Sequence, residues 1–276
     1  MEHLLLSWQR SPLMNPKPPP TRKTIDKAMQ LMTAFSAERP ELAVTELAVL
    51  LQLHKSVVSR IASTLRHWGM LEVNSVTGRL RVGPAAFRIG ALFSHHRNRL
   101  ADLAGPLLAE LVHQTGHSVH LSVMEGLRVL VVATVESPSA LRVIMRVGDE
   151  RHLHTTAAGK LFMAFCGADL MNAAYRSTGF PALTPYTLTL PEDLERGFAR
   201  IRRERVAFNR GEHTLGAGAV AAPVSARAGE VVGVVSTVYP LNVVDAAKRA
   251  QIELHTKRCA EALSAKLAQL PQRTIG

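Results

Sequence analysis

The sequence predicts an α+β chain in two parts: a small basic helical unit, then a larger unit around a mostly antiparallel sheet. Three observations carry this. At 276 residues, 47% of them hydrophobic, the chain exceeds one small core and has the material for two. Its apolar spacing changes from steps of three and four before Gly116 to alternation beyond it. The charge is also uneven. Of a net +11, residues 1–90 hold 12 basic and 6 acidic side chains, and the other 186 hold 21 and 16. The first third therefore has the higher charge density, and a polyanion is a fitting partner for it.

The opening residues 1–23 include SPLMNPKPPPTRK, whose prolines and basic residues predict a disordered arm. From Thr24, Ile25, Ala28, Met29, Met32 and Phe35 recur at helical steps and end near Arg39-Pro40. Thr45 stands where an N-cap is expected, with Leu47, Ala48 and Leu51 on the inner face of a short helix. After a break at 52–54 comes HKSVVSRIASTLRHWG. Here Val58, Ile61, Ala62 and Leu65 share one side, and Ser56, Ser59, Arg60, Ser63 and His67 share the other. Gly69 is a fitting helix stop, and LEVN and RLRVG then read as a short basic hairpin. Three helices and a hairpin within residues 24–83 outline a winged helix-turn-helix.

Residues 84–97, PAAFRIGALFSHHR, predict a linker helix leading into a second helix that ends near Thr115. Within residues 98–276, HLSVMEG and LRVLVVATVE predict a hairpin, and LRVIMRVG one more strand. Helices are expected over TTAAGKLFMAFCGADLMNAAYRS and PEDLERGFARIRRERV. A second hairpin follows, GAVAAPVSA and VVGVVSTVY turning at 227–230, and a last helix runs from about Val243 to Leu270.

Several chemistries are disfavoured. Cys166 and Cys259 form no CxxC pair, which fits a reducing cytoplasm without a disulfide framework or thiolate zinc site. No run of about 18 apolar residues predicts a membrane span. Gly159-Lys160 lacks the rest of a phosphate loop: His154 stands at the first glycine position and Leu161 replaces the hydroxyl. The glycines at 216 and 218 open a strand instead of joining a strand to a helix, so they do not make a dinucleotide fingerprint. His113, His117 and His120 are interrupted by Gly116 and joined by no thiolate, and His152, His154 and His213 form a second loose group; packed or solvated histidines are expected in both. Neither a catalytic triad nor a cofactor site stands out.

A residue that reads base edges lies on the exposed face of the recognition helix, mostly in its N-terminal half. Ser56, Ser59 and Arg60 meet that description, and Arg60 has the fork geometry for guanine. Thr45 and Lys55 near helix starts suit phosphates, and Arg79 and Arg81 on the hairpin suit the backbone or minor groove. An ordinary solvated helix face is the competing reading; the neighbouring short helix, the tight break, the hairpin and the charge excess together favour DNA.

VTELAVLLQLHKSVVSRIASTLRHWGMLEVNSVTGRLRVG resembles the DNA-binding domain of the IclR family of bacterial transcription regulators. RVGDERHLHTTAAGKLFMAF and FNRGEHTLGAGAVAAPVSARAGEVVGVVSTVYP resemble its effector-binding domain, in the same order. The similarity runs from about Thr24 to Leu270, and HTTAAGK and AVAAPV are its more specific parts. It implies a GAF-like effector domain and a regulator, repressor or activator, acting as a dimer or dimer of dimers on a near-palindromic operator. Where the family often has Ser-Thr early in the recognition helix, this chain has Ser56-Val57, so Val57 joins the DNA-facing candidates as a contact for a thymine methyl, with packing alone as the other reading. Matching positions brings Ala157, Ala158, Asn209, Ala219 and Ser236 to an effector pocket, with Val143 and Met145 as an apolar wall on the preceding strand. Small residues at a helix start suit a carboxylate, so a small organic acid, aromatic or 2-oxo, is the expected effector. An enzyme acting on a small molecule, with the N-terminal part as an interaction module, is the alternative.

Overall fold

The computed structural model describes residues 23–36, 39–226 and 229–269. The arm at 1–22 and the hairpin tip at 227–228 lie outside the described residues. The chain divides into two units, with the boundary between Asn98 and Arg99.

The smaller unit contains α1 (Lys23–Thr33), β1 (Glu41–Leu42), α2 (Val44–Leu50), α3 (Lys55–His67), β2 (Leu71–Val73) and β3 (Leu80–Val82). The three strands form an antiparallel sheet in the order β1-β3-β2. Leu31, Leu47, Val58, Ile61, Leu71 and Leu80 make its core. In α1 the buried stripe differs from the expected one. Ile25 and Met29 are exposed, while Leu31 and Ala34 are buried, with Ala28, Met32 and Phe35 beside them. Both stripes have helical spacing, and only the position of α3 selects between them. Strand β1 was not expected; it pairs Glu41 and Leu42 with Arg81 and Leu80.

The linker and the helix after it are one helix, α4 (Pro84–Thr115), with Pro106 inside it. Residues 94–99, SHHRNR, contain neither glycine nor proline, so nothing local ends the helix there.

Beyond α4, the larger unit holds β4 (Ser118–Glu125), β5 (Arg128–Val135), β6 (Glu150–His152), α5 (Ala157–Cys166), α6 (Ala168–Thr178), α7 (Pro191–Glu204), β7 (Ala207–Arg210), β8 (Ala217–Ser225), β9 (Val231–Pro240) and α8 (Ala246–Gln269). Its strands run β6-β5-β4-β9-β8-β7, every neighbouring pair antiparallel. The second half of α4 and α8 cover one face, over Val119, Leu121, Val123, Val224 and Val235. Helices α5 and α7 cover the other, over Val129, Ala219, Ala221, Val234 and Val238. The expected single helix over 155–177 breaks at Gly167 into α5 and α6.

The strand expected over 141–148 is absent. Only Glu150–His152 pairs with β5, opposite Arg128–Leu130, and the turn at Gly148-Asp149 occupies Val131 next along the ladder. Val143 and Met145 still pack on the core, but from an irregular segment; Leu141, Ile144 and Val147 face outward.

Candidate functional sites

Helix α3 presents its first candidate surface. His54 stands at the N-cap, its Nδ1 accepting from the Ser56 backbone N–H and lying 2.8 Å from Ser56 Oγ. Lys55, Ser56, Ser59 and Arg60 are exposed. Val57 is half-buried against the core, so packing accounts for it. Thr45 is exposed, but it sits inside the first turn of α2 and Ala43 holds the N-cap. Glu46 reaches back to accept from the Ala43 N–H at 2.8 Å. The helix start is thus closed by a glutamate three residues on, not by a hydroxyl.

Of the hairpin arginines Arg81 is exposed and Arg79 half-buried, and both are already paired. Arg79 bonds Glu46 of α2, and Arg81 bonds Glu72 of β2 at 2.6 Å. The same hairpin is held to β1 by Asn74 and Thr77, which both donate to Glu41. Those hydrogen bonds hold the Glu41 carboxyl below its ordinary range. Each of the arginine–glutamate bonds uses one nitrogen of a guanidinium that has five N–H donors.

The second candidate site lies in the larger unit, on the sheet face under α5. Thr156 caps this helix by accepting from the Gly159 N–H at 2.9 Å. Ala157 and Ala158 are buried. Gly159 is required by close approach: a Cβ there would lie 2.0 Å from the Leu153 carbonyl oxygen. The helix start is therefore pressed onto the backbone before it. Lys160 points to a buried ion pair with Glu212, at 2.8 and 2.5 Å. Burial pulls the Lys160 ammonium down from its ordinary range, and Glu212 opposes that.

Asn209 joins β7 to this helix start. Its Nδ2 donates to the Thr155 carbonyl and its Oδ1 accepts from the N–H groups of Gly211 and Glu212, so both ends of the amide are engaged within the fold. Asn209 thus ties β7 and the turn after it to the residues before α5. Ala219 stands opposite it in the ladder, and Val238 opposite Ala219.

The polar groups left without partners belong to other residues. In β4, Ser118, His120 and Ser122 point to the α5 face, while Val119, Leu121 and Val123 point to α4 and α8. His120 lies directly opposite Ser236 of β9. His120, Ser122 and Ser236 are 6%, 0% and 1% exposed, and His120 Nδ1 and both serine Oγ atoms have no hydrogen-bond partner. Arg151, opposite Val129 and so on the same face, leaves its Nε unpartnered while a terminal nitrogen bonds Asp149 at 3.0 Å. Thr155 Oγ1 donates to the His152 carbonyl and lies 3.0 Å from His213 Nδ1. Burial, then Arg151, pushes His120 down to about 4, and the same two causes put His213 at about 4. The imidazoles are thus uncharged at neutral pH.

The sequence pointed to Ser236, Ala157, Ala158 and Ala219 here, gave His120 and His213 only as packed or solvated histidines, and did not single out Ser122 or Arg151. The signal was present for β4: Ser118, His120 and Ser122 alternate with Val119, Leu121 and Val123. Among the described residues no cluster of three or more His, Cys, Asp or Glu is placed to hold a metal ion. Two open concavities of about 550 and 470 Å³ lie on the smaller unit, one lined by Thr45, Glu46 and Val49 of α2 and the other by Ser63, Arg66 and His67 of α3.

Comparison with known proteins agrees with both halves. The IclR helix-turn-helix domain matches residues 24–75, and the bacterial transcriptional regulator IclR C-terminal domain matches residues 93–265. The HTH-type transcriptional regulator BhcR of Paracoccus denitrificans is 30% identical, over 79% of this chain and 77% of its own. The HTH-type transcriptional regulator XynR of Escherichia coli is 27% identical, over 89% and 97%. The fold matches the crystal structure of an IclR homologue from Microbacterium hydrocarbonoxydans complexed with 4-hydroxybenzoate, with TM-score 0.76, 21% identity, and 88% and 98% of the two chains covered. With a family domain matching well over half its length, under the winged helix and the α5-covered sheet just described, this chain belongs to the IclR family of bacterial transcriptional regulators.

Proposed function

We propose that the exposed face of α3 reads the major groove of a near-palindromic operator, two copies of the chain engaging its two halves, and that a small organic acid bound under α5 controls this. The observation that carries the reading is the α3 face itself. Lys55, Ser56, Ser59 and Arg60 project from a helix whose other side is locked into the core, and α3 contains no acidic residue. Arg60 supplies a bidentate fork for guanine, and the serines let the helix approach closely. Lys55, Arg79 and Arg81 supply phosphate contacts, which set position and salt dependence. Acting on DNA, the protein works in the cytoplasm.

The acid's carboxylate fits between the N-terminus of α5 and Arg151. The helix start carries a partial positive charge, and Arg151 keeps a buried N–H to donate. Ala157, Ala158, Ala219, Val143 and Met145 leave apolar walls around it. The relative complexed with 4-hydroxybenzoate supports an aromatic acid as one effector class. The larger unit is a sensor, not an enzyme, in keeping with its relatives, which are named as regulators.

Fluorescence anisotropy tests this, using labelled DNA from upstream of the protein's own gene, fixed salt, nonspecific competitor and a panel of small carboxylic acids. Specific binding should weaken about tenfold or more in Arg60→Ala, a loss of about 1–3 kcal/mol. One acid should shift the wild-type curve and be recovered chemically unchanged. Binding that survives Arg60→Ala with its sequence preference intact would remove α3 from the role, and turnover of the acid would favour the enzyme.

A further inference from the structure

The first turn of α3 holds a hydrogen-bond arrangement that fixes what one of its exposed side chains can do. Resting on the reading of α3 as the helix that enters the groove, we propose that His54 is a positioning residue for base recognition. It takes up the Ser56 hydroxyl proton, so that Ser56 meets DNA only as an acceptor and selects the amino group of an adenine or a cytosine.

A helix leaves its first N–H groups without a carbonyl of the preceding turn to reach. In α3 the His54 carbonyl takes those of Val57 and Val58, at 2.9 and 3.2 Å. The Ser56 N–H is left to the imidazole, whose Nδ1 accepts it at 3.4 Å. A backbone N–H only donates, so Nδ1 is the bare nitrogen of the ring and Nε2 carries the proton. Ser56 Oγ lies 2.8 Å from the same Nδ1. Between a bare nitrogen and a hydroxyl, only the hydroxyl donates. Its one hydrogen is therefore committed to His54, and its lone pairs are what it offers outward. Both residues are exposed, at the N-terminal end of α3 where base edges are read. Phosphate oxygens, guanine N7 and O6 and thymine O4 all accept, and an acceptor cannot bond them. Adenine and cytosine present an amino donor in the major groove, which fits. Lys55 and Arg60 on the same helix only donate, so Ser56 adds an acceptor to them.

Two variants of residue 54 preserve the helix start and separate capping from recognition. Asn brings an amide oxygen that accepts in place of Nδ1, whereas Gly is a well-tolerated N-cap that offers Ser56 no acceptor. Anisotropy titrations of the full-length protein should use its specifically bound DNA with each base pair of a half-site replaced in turn. In the wild type one position should prefer A or C, and Ser56→Ala should abolish that preference. There, a base analogue lacking the exocyclic amino group should weaken binding about fivefold, the loss of one hydrogen bond, and a deazaadenine lacking N7 should not. His54→Asn should keep this pattern. His54→Gly should level it, because the freed hydroxyl can turn and donate as well. A histidine that only caps would instead leave the base preference of His54→Gly unchanged. Without DNA, nitrogen NMR of histidine-labelled protein, with His54→Asn identifying the signal, should place the His54 proton on Nε2.

A proton on Nδ1 would overturn the proposal, as would a Ser56-dependent position that prefers G or T. So would a base pattern shared by the wild type and His54→Gly. If Ser56→Ala weakens every sequence alike, Ser56 holds a phosphate; if it changes nothing, Ser56 touches no DNA, and either result removes the role of His54. In all these cases recognition that depends on Arg60 leaves the α3 reading standing. If the wild type prefers no sequence, or Arg60→Ala keeps the preference intact, both readings fall.

Discussion

Burial changes the chemistry of His120 more than its sequence neighbours do. Its protonated form is disfavoured by burial and then by Arg151, with Asp149 opposing, and the group titrates at about 4 instead of 6.5. Below about pH 6.5 the unfolded chain takes up a proton that the folded chain refuses, so stability is complete above that pH and declines toward pH 4. A shift of this size is worth about 3 kcal/mol once fully expressed. His117, His152, His154 and His213 are lowered as well, so their contributions have the same sign. Urea midpoints at pH 7.5, 6.0 and 5.0 should fall with acid, and His120→Gln should flatten that fall; parallel curves for the two proteins would refute the assignment. At this scale the residue types were legible but their states were not. HLS in β4 could be read as alternating, whereas the neutrality of its imidazole depends on what packs above it.

Among elements, α5 is the most constrained. Three connections hold its start: the Thr156 cap, the Gly159 contact with Leu153, and the Lys160–Glu212 ion pair that ties it to the turn after β7. Glu212 is in turn held by backbone, its N–H donating to Asn209 and its carbonyl accepting from Thr187. Removing one partner of a buried pair leaves the other charge uncompensated, at a cost of about 3–5 kcal/mol. Glu212→Gln should therefore lower the denaturant midpoint strongly. Replacing both partners, as Lys160→Met with Glu212→Leu, should recover much of the loss; a double variant as unstable as the single would disprove the pairing argument. Gly159→Ala should also destabilise severely, measured the same way, because the obstructing atoms are backbone. The segment HTTAAGK was legible as a helix start from its sequence. That its glycine serves packing, and that its lysine is paired and buried, follows from residues 153 and 212, which sequence spacing does not bring near.

Among the described residues the smaller unit has its own core, around Leu47 and Val58, which shares no buried residue with the clusters of the larger unit. Leu47 is completely buried in the smaller unit, so Leu47→Ala should cost that unit about 2–5 kcal/mol. Scanning calorimetry should show one transition moving down while a second, belonging to the larger unit, stays in place. A single transition that moves as a whole would mean that the units melt cooperatively. Helix α4 runs from one unit into the other.

The division between sequence and structure follows the range of the forces involved. Helices α2, α3, α7 and α8 and the two long hairpins were determined by local periodicity, turn residues and helix stops, which act over a few positions. The exposed face of α3 belongs with them, because once Val58, Ile61 and Ala62 turn inward, Ser59 and Arg60 must turn outward. Tertiary structure decided what local pattern left degenerate: which of two stripes α1 buries, that 141–148 packs on the sheet without joining it, and that α4 is continuous. It also decided the polar site. Asn209 is engaged by the backbone of residues 155, 211 and 212, while His120, Ser122 and Ser236 lack partners, because hydrogen-bond satisfaction depends on groups far apart in sequence that only the folded sheet brings together.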